Sequence, residues 1–359
     1  MEQSNENLSK AMEQLTLTAD DSNEASKPPK SLEDLTVDVI GLIIEKSDYK
    51  QQMNLRKTSK DLRALVDKHQ PALTRLKVSC YYDYILCHYD EHCVMYIQPN
   101  WYHSNLLNYS RCNLNSIVSN FNFQQDAFND LASVLKNPKL QLEYFSFNID
   151  SDGNQANSMD CDDEWHFLDW KFRGDYKRMQ NMLESMNHQL SVRECRTDIC
   201  SDINNIMSFL PYLKPGVLEK ITIFMSDLGD DRCPENFKQV SLLEQWKQAK
   251  ELYWEDGMKD SFPTRYATHF KRFHFQEFGL DWDDLTWIRD YILKHENAES
   301  CLITDYDQYE FLEYEELVRT VGSPVSPGLS HYTVPDSEYY LEFKHEDEAI
   351  KIEKKKKKQ

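Results

Sequence analysis

Glycine is scarce in this chain: nine residues in 359, with no two separated by a single residue. A Gly-x-Gly-x-x-Gly turn, which lets a backbone approach a pyrophosphate, is therefore absent. So are a Gly-x-x-x-x-Gly-Lys-Ser/Thr phosphate loop, a His-Glu-x-x-His zinc helix and a Gly-x-Ser-x-Gly nucleophile elbow. No apolar run approaches the roughly 18 residues that cross a bilayer as a helix. Basic charge is in deficit. With 41 Lys+Arg against 61 Asp+Glu the formal net charge is −20, the wrong sign for a surface that must neutralise phosphates, which argues against nucleic-acid binding. The nine cysteines are odd in number and have no framework spacing, and the opening Met-Glu-Gln-Ser-Asn-Glu is polar and acidic. These features predict an intracellular chain with free thiols, cytoplasmic or nuclear.

What is present is a hydrophobic content of 40%, enough for a sizeable core and for two or three domains. Residues 1–30 are polar and lack aromatics, which predicts a disordered tail closed by Pro28-Pro29. Residues 31–71 read as three short amphipathic helices. Thr36 is placed to cap the first, whose apolar stripe is Val39, Ile40, Ile43 and Ile44. Asp48 is placed to cap the second, with Tyr49, Met53 and Leu55; Ser59 the third, with Leu62, Leu65 and Val66; Pro71 ends the run. Three such helices are too small for a core of their own, so the segment is built to dock.

Residues 76–320 read as α/β. Lys77–His88 and Cys93–Gln98 form a hairpin around a turn at Asp90-Glu91-His92. Helices over Asp126–Leu135, Asp175–Met186, Asp202–Leu210, Leu242–Leu252 and Trp282–Lys294 each lead to a strand: Leu142–Ile149, Leu190–Thr197, Leu218–Met225, Phe270–Phe275 and Glu299–Thr304. Such units favour a parallel sheet. With successive strands as neighbours, the sheet curves like an irregular leucine-rich repeat. Residues 321–359 are expected to carry one strand, Tyr339–Phe343, and a basic tail whose lysines, Lys354–Lys358, are a solvated charge run or an import signal. The fold class is thus α+β and multi-domain.

Two metal patterns fail on spacing. Asp150-Ser-Asp-Gly-Asn opens like a calcium loop, but its glycine comes too early and Cys161 stands where the closing glutamate belongs. Cys87-His88 and His92-Cys93 are pairs of strand neighbours that face opposite ways, which favours a hairpin with buried cysteines and exposed histidines over zinc. No cofactor is expected, and a dispersed active site has no pattern pointing to it. Tyr253, Trp254, Tyr306, Tyr309 and Phe311 are candidates for an exposed aromatic face.

Two regions carry a family resemblance. Ser31–Asp67 resembles an F-box through Leu35, Val39, Ile40, Ile43, Leu55-Arg56 and Leu62-Arg63; Thr36 replaces the usual Pro, Ser47 a common Leu and Thr58 a common Val. Leu76–Lys294 is similar to the FTH domain of nematode F-box proteins, through Asp130–Glu143, Phe209–Ile221, Leu243–Leu252, His269–Phe273 and Ile288–Lys294. The resemblance implies a non-catalytic substrate adaptor of a cullin-type ubiquitin ligase. Leu35, Val39, Ile40, Ile43, Leu55 and Leu62 would bind a Skp-type adaptor and through it a cullin, and the FTH region an unknown target protein. The alternative is an interaction module whose F-box has degenerated at Thr36, Ser47 and Thr58.

Overall fold

The computed structural model describes residues 35–81, 83–99, 114–149, 164–199, 203–225, 237–255, 262–277, 282–305, 321–335, 337–346 and 349–357. The predicted tail and the calcium-like loop lie outside these residues. The chain divides into two compact units, Met1–Lys46 and Ser47–Gln359.

The first unit contributes one helix, α1 (Val37–Lys46), with Asp38 in its first turn and Lys46 in its last, both favourable to the helix dipole. The second unit opens with α2 (Tyr49–Thr58) and α3 (Lys60–Val66). Asp48 caps α2 in a full capping box: its carboxylate accepts from Gln51 N at 2.8 Å, and Gln51 Oε1 accepts from Asp48 N at 3.1 Å. Ser59 caps α3 through Leu62 N at 3.2 Å. Replacing Asp48 by Ala is expected to cost about 1 kcal/mol of stability, read as a lowered denaturation midpoint with an unchanged slope.

Among the described residues fourteen strands join one sheet, ordered β11-β12-β13-β14-β10-β9-β8-β7-β6-β5-β1-β2-β3-β4. The strands are β1 (Arg75–Cys80), β2 (Tyr84–Tyr89), β3 (His92–Ile97), β4 (Leu114–Ser119), β5 (Gln141–Ile149), β6 (Ser191–Ile199) and β7 (Lys220–Met225). They continue with β8 (Glu251–Glu255), β9 (Arg272–Glu277), β10 (Ser300–Asp305), β11 (Ser323–Ser326), β12 (Leu329–Thr333), β13 (Tyr339–Glu346) and β14 (Ala349–Lys356). From β5 to β10 each strand lies parallel to the next in the chain, as helix–strand alternation predicts.

The links carry α4 (Phe123–Leu135), α5 (Glu164–Glu184), α6 (Glu244–Gln248) and α7 (Trp282–Lys294). Their apolar residues pack with the inward residues of the strands in one core: Phe128 and Leu131 of α4, Met179 of α5, Trp246 of α6, and Ile288 and Ile292 of α7 meet Phe145, Cys195, Ile223, Trp254, Phe275 and Ile303. At the strand entrances one carbonyl accepts two amides of the next strand. Glu219 O takes Lys250 N (2.8 Å) and Glu251 N (3.0 Å); Lys250 O takes Lys271 N (2.9 Å) and Arg272 N (3.1 Å). These forks satisfy backbone donors where the strands begin.

Several expectations need correction. Lys77–His88 is two antiparallel strands, the first ending at Cys80 and the second starting at Tyr84, and Tyr81 and Tyr84 stack with ring centroids 4.3 Å apart. In place of the helix expected over 202–210 stand tight 3₁₀ turns, Ile203–Ser208 and Leu210–Tyr212, with Pro211 inside the second. The helix expected over 242–252 stops at Gln248, and Leu252 lies in β8. The terminal segment holds four strands, not one. Lys354, Lys355 and Lys356 are not a free tail: they pair in register with Leu341, Tyr340 and Tyr339 of β13. Carboxylates of Glu342 and Glu353 hold Lys355, and Glu338 holds Lys356 at 3.0 Å. Interleaved glutamates let a basic run enter a sheet.

Candidate functional site

Helix α1 is apolar on two sides. Ile40 and Ile44, one turn apart, are buried, Ile40 at 5% exposure. Val39, Leu42 and Ile43, at i, i+3 and i+4, form a second stripe in which Leu42 is 49% exposed and Val39 and Ile43 are half-buried. Leu35, just before the helix, is half-buried and Val37 is 62% exposed. On α2, Leu55 is half-buried; on α3, Leu62 is buried. The sequence reading missed Val37 and Leu42. Counting apolar positions two sided around the helix, rather than as one stripe, is the signal that finds them.

Helix α2 is fastened to the sheet. Tyr49 stacks on Tyr89 of β2 at 5.6 Å, and buried Gln52 accepts from Ala72 N at 3.0 Å in the segment leading to β1. Burial raises the Tyr49 hydroxyl far above the ordinary tyrosine range. Asp90 turns β2 into β3 with φ of 51°, a left-handed conformation that Asp tolerates. Its carboxylate also accepts from Thr74 Oγ1 and Arg75 N, each at 2.8 Å, which closes the start of β1.

The hairpin cysteines Cys87 and Cys93 are buried, and His88 and His92 are half-buried. His88 and Cys93 are cross-strand partners, with Nε2 and Sγ 3.6 Å apart, while Cys87 lies on the other face with the core. Among the described residues no cluster of three His, Cys, Asp or Glu converges as metal ligands would. Burial drives the Cys87 and Cys195 thiols far above their ordinary range, so neither is poised as a nucleophile.

Across β6–β10 the face opposite the core is half-buried apart from buried Thr222, while on β5 Ser146 and Asn148 are buried; the face holds a chain of ring contacts. The Arg196 guanidinium lies 3.8 Å from the centroid of Phe224, Phe224 stacks on Tyr253 at 5.5 Å, and Tyr253 meets the His274 ring edge-on at 4.2 Å. His274 Nε2 is 3.0 Å from Thr304 Oγ1. Of the proposed exposed aromatics, Tyr253 is on this face, whereas Trp254 is fully buried on the other, as strand alternation requires. Tyr306, Tyr309 and Phe311 lie outside the described residues.

Burial, with Lys220 nearby, lowers His274 to about 4. An unfolded His takes its proton near 6.5, so His274 contributes stability that is complete above that pH and is lost as pH falls toward 4. The contribution is roughly 1–3 kcal/mol after allowing for solvent screening of this half-buried ring. Between pH 7 and 4 the unfolding free energy is therefore expected to fall less steeply in His274→Gln, measured by urea titration at each pH.

Comparison with known proteins matches the first region and the later part of the second, from residue 175 onward. An F-box domain matches residues 32–73 and an FTH domain matches residues 175–319. Both are interaction domains rather than catalytic ones. A search of curated proteins gave no match. No described helix is long and apolar enough to cross a membrane.

Proposed function

We propose that this chain is a non-catalytic substrate adaptor of a Skp–cullin–F-box ubiquitin ligase. The observation that carries this is the second apolar stripe of α1. Val39, Leu42 and Ile43 lie partly open to solvent inside a segment that matches an F-box, on the side away from buried Ile40 and Ile44. A Skp-type adaptor would cover that stripe and Leu35, and Leu55 of the second unit would be a separate contact with it. Covering an apolar side chain fully contributes about 1.5–3 kcal/mol before association costs. Ile40 and Leu62 are already buried, each in its own unit, so neither would meet the adaptor directly. The FTH region would hold the target, and the chain would act by raising the concentration of target near the transfer site, for which it needs no reacting group of its own. An intracellular location, cytoplasmic or nuclear, follows from the role.

The test is co-elution of the purified chain with a purified Skp-type adaptor as a 1:1 complex. Separate elution at micromolar concentrations of both would select the alternative, an interaction module with a degenerate F-box and no ligase attached.

A further inference from the structure

One row of side chains can be followed by register across the described strands on the face opposite the main core. At β3 and β4 it runs into a second apolar cluster through Cys93 and Leu114, and Ser146 and Thr222 are buried, so its accessible stretch is the one from Arg196 to Lys351. Its charged members are Lys77, Arg196, Lys351 and Lys344, and it holds no carboxylate. At its centre Tyr253, His274 and Leu302 are direct neighbours on β8, β9 and β10. They floor a depression of about 210 Å³. The rim is formed by Lys220, Glu251 and Arg272 of the adjoining row, and by Lys351.

The adjoining row alternates in sign and neutralises itself: Lys220 meets Glu194 at 3.0 Å, and Arg272 meets Glu251. On the other side lie Asp198, 4.0 Å from Arg196, and Glu255. Lys351 is answered by Glu353 at 2.8 Å. Counted over these three rows, the face is close to neutral, while the whole chain carries −20. A face that is balanced, crossed by a row of cations and apolar at its centre stands apart from the acidic remainder.

We infer that this face binds an extended acidic segment of a target protein. The segment lies across the strands along the carboxylate-free row. One aliphatic or aromatic side chain fills the depression above Tyr253, His274 and Leu302. Flanking Asp or Glu residues meet Arg196 on one side and Lys351 on the other. His274, held neutral by its surroundings, presents ring surface rather than charge. The inference rests on the reading of the FTH region as the target-binding part, and it adds which face is used and which chemistry it selects.

The experiment is selection of a displayed peptide library, randomised at nine positions, on the full-length chain. Enrichment of sequences with a Leu, Phe or Trp between Asp or Glu residues is expected. Synthetic peptides made from them should bind at least about tenfold more weakly to Lys351→Glu and to Arg196→Glu, and more weakly as salt rises. Both charge reversals are at half-buried sites, so circular dichroism and melting of each variant must match the parent; Leu302→Ala is a third variant that keeps charge constant and should weaken binding as well. Enrichment of basic peptides, which the net charge alone would favour, overturns the inference, as does acidic enrichment indifferent to all three variants or no enrichment at all. Adaptor co-elution measured on the same protein separates the two readings. Adaptor binding without acidic peptides sinks only this inference, and acidic peptides without adaptor binding sink only the ligase role.

Discussion

A chain carrying Val39→Asp and Leu42→Asp should lose more than about a hundredfold of its affinity for a Skp-type adaptor while melting at the parent temperature. Both side chains sit on the open stripe of α1, where a carboxylate is hydrated in the free chain. On association that carboxylate is stripped of water with no partner, which costs about 3–5 kcal/mol, and each 1.4 kcal/mol is about a factor of ten in Kd. Leu55→Asp should add to the loss. Ile40→Asp behaves differently: at 5% exposure the charge is buried before any partner arrives, so the chain should be destabilised whether or not adaptor is present. Calorimetric titration together with melting of each variant separates the two classes. Parent-like affinity in the Val39/Leu42 double variant would move the docking surface elsewhere.

Phe262→Ala should be among the most destabilising single changes in the sheet unit, at about 3–5 kcal/mol. Phe262 is 1% exposed and meets five aromatic rings: Phe275 at 4.9 Å, Trp254 and Tyr291 each at 5.6 Å, Trp287 at 5.7 Å and Phe273 at 6.1 Å. All five contacts are edge-to-face, with interplanar angles of 74–88°. In that geometry the positive rim of one ring meets the negative face of another, adding about 0.5–1.5 kcal/mol per pair beyond area burial. Truncation removes the hub that joins β8, β9 and α7, and rigid rings cannot collapse into the space left. Phe262→Leu should recover part of the loss. Urea unfolding gives both values, and a cost below about 1 kcal/mol for Phe262→Ala would show that the cluster repacks.

Much of this architecture is legible in the sequence because local and long-range signals agree. The helix expected over Trp282–Lys294 is found with those bounds, since its acidic first turn, apolar spacing and terminal lysine all point one way. The caps at Asp48 and Ser59 were readable from residue type and position. Failures occur where local pattern is ambiguous. Gln248-Ala249-Lys250-Glu251 contains no Gly or Pro, so nothing marks where α6 gives way to β8. The lysines of β14 mislead through composition: their place in a sheet depends on Glu338 and Glu342, which lie in or beside a different strand. For α1 the apolar positions are plain, but which of its two greasy sides faces inward depends on contacts that no short window contains. The row on the outer face is invisible for the same reason. Its members are scattered from Lys77 to Lys351 and meet only through register.

Tyr49 stacked on Tyr89 has a mechanical consequence. Because α2 is clamped to the sheet through that pair and through Gln52, a partner held through Leu55 of α2 would be fixed as if at one end of a ruler, whose other marks are the strands. A tethered hook would let cargo sweep a volume; a ruler presents it at one distance and one angle. Which lysines of a captured protein receive ubiquitin would then be decided by geometry rather than by diffusion, and a glycine-rich insertion after Pro71 would blur that choice without weakening either grip.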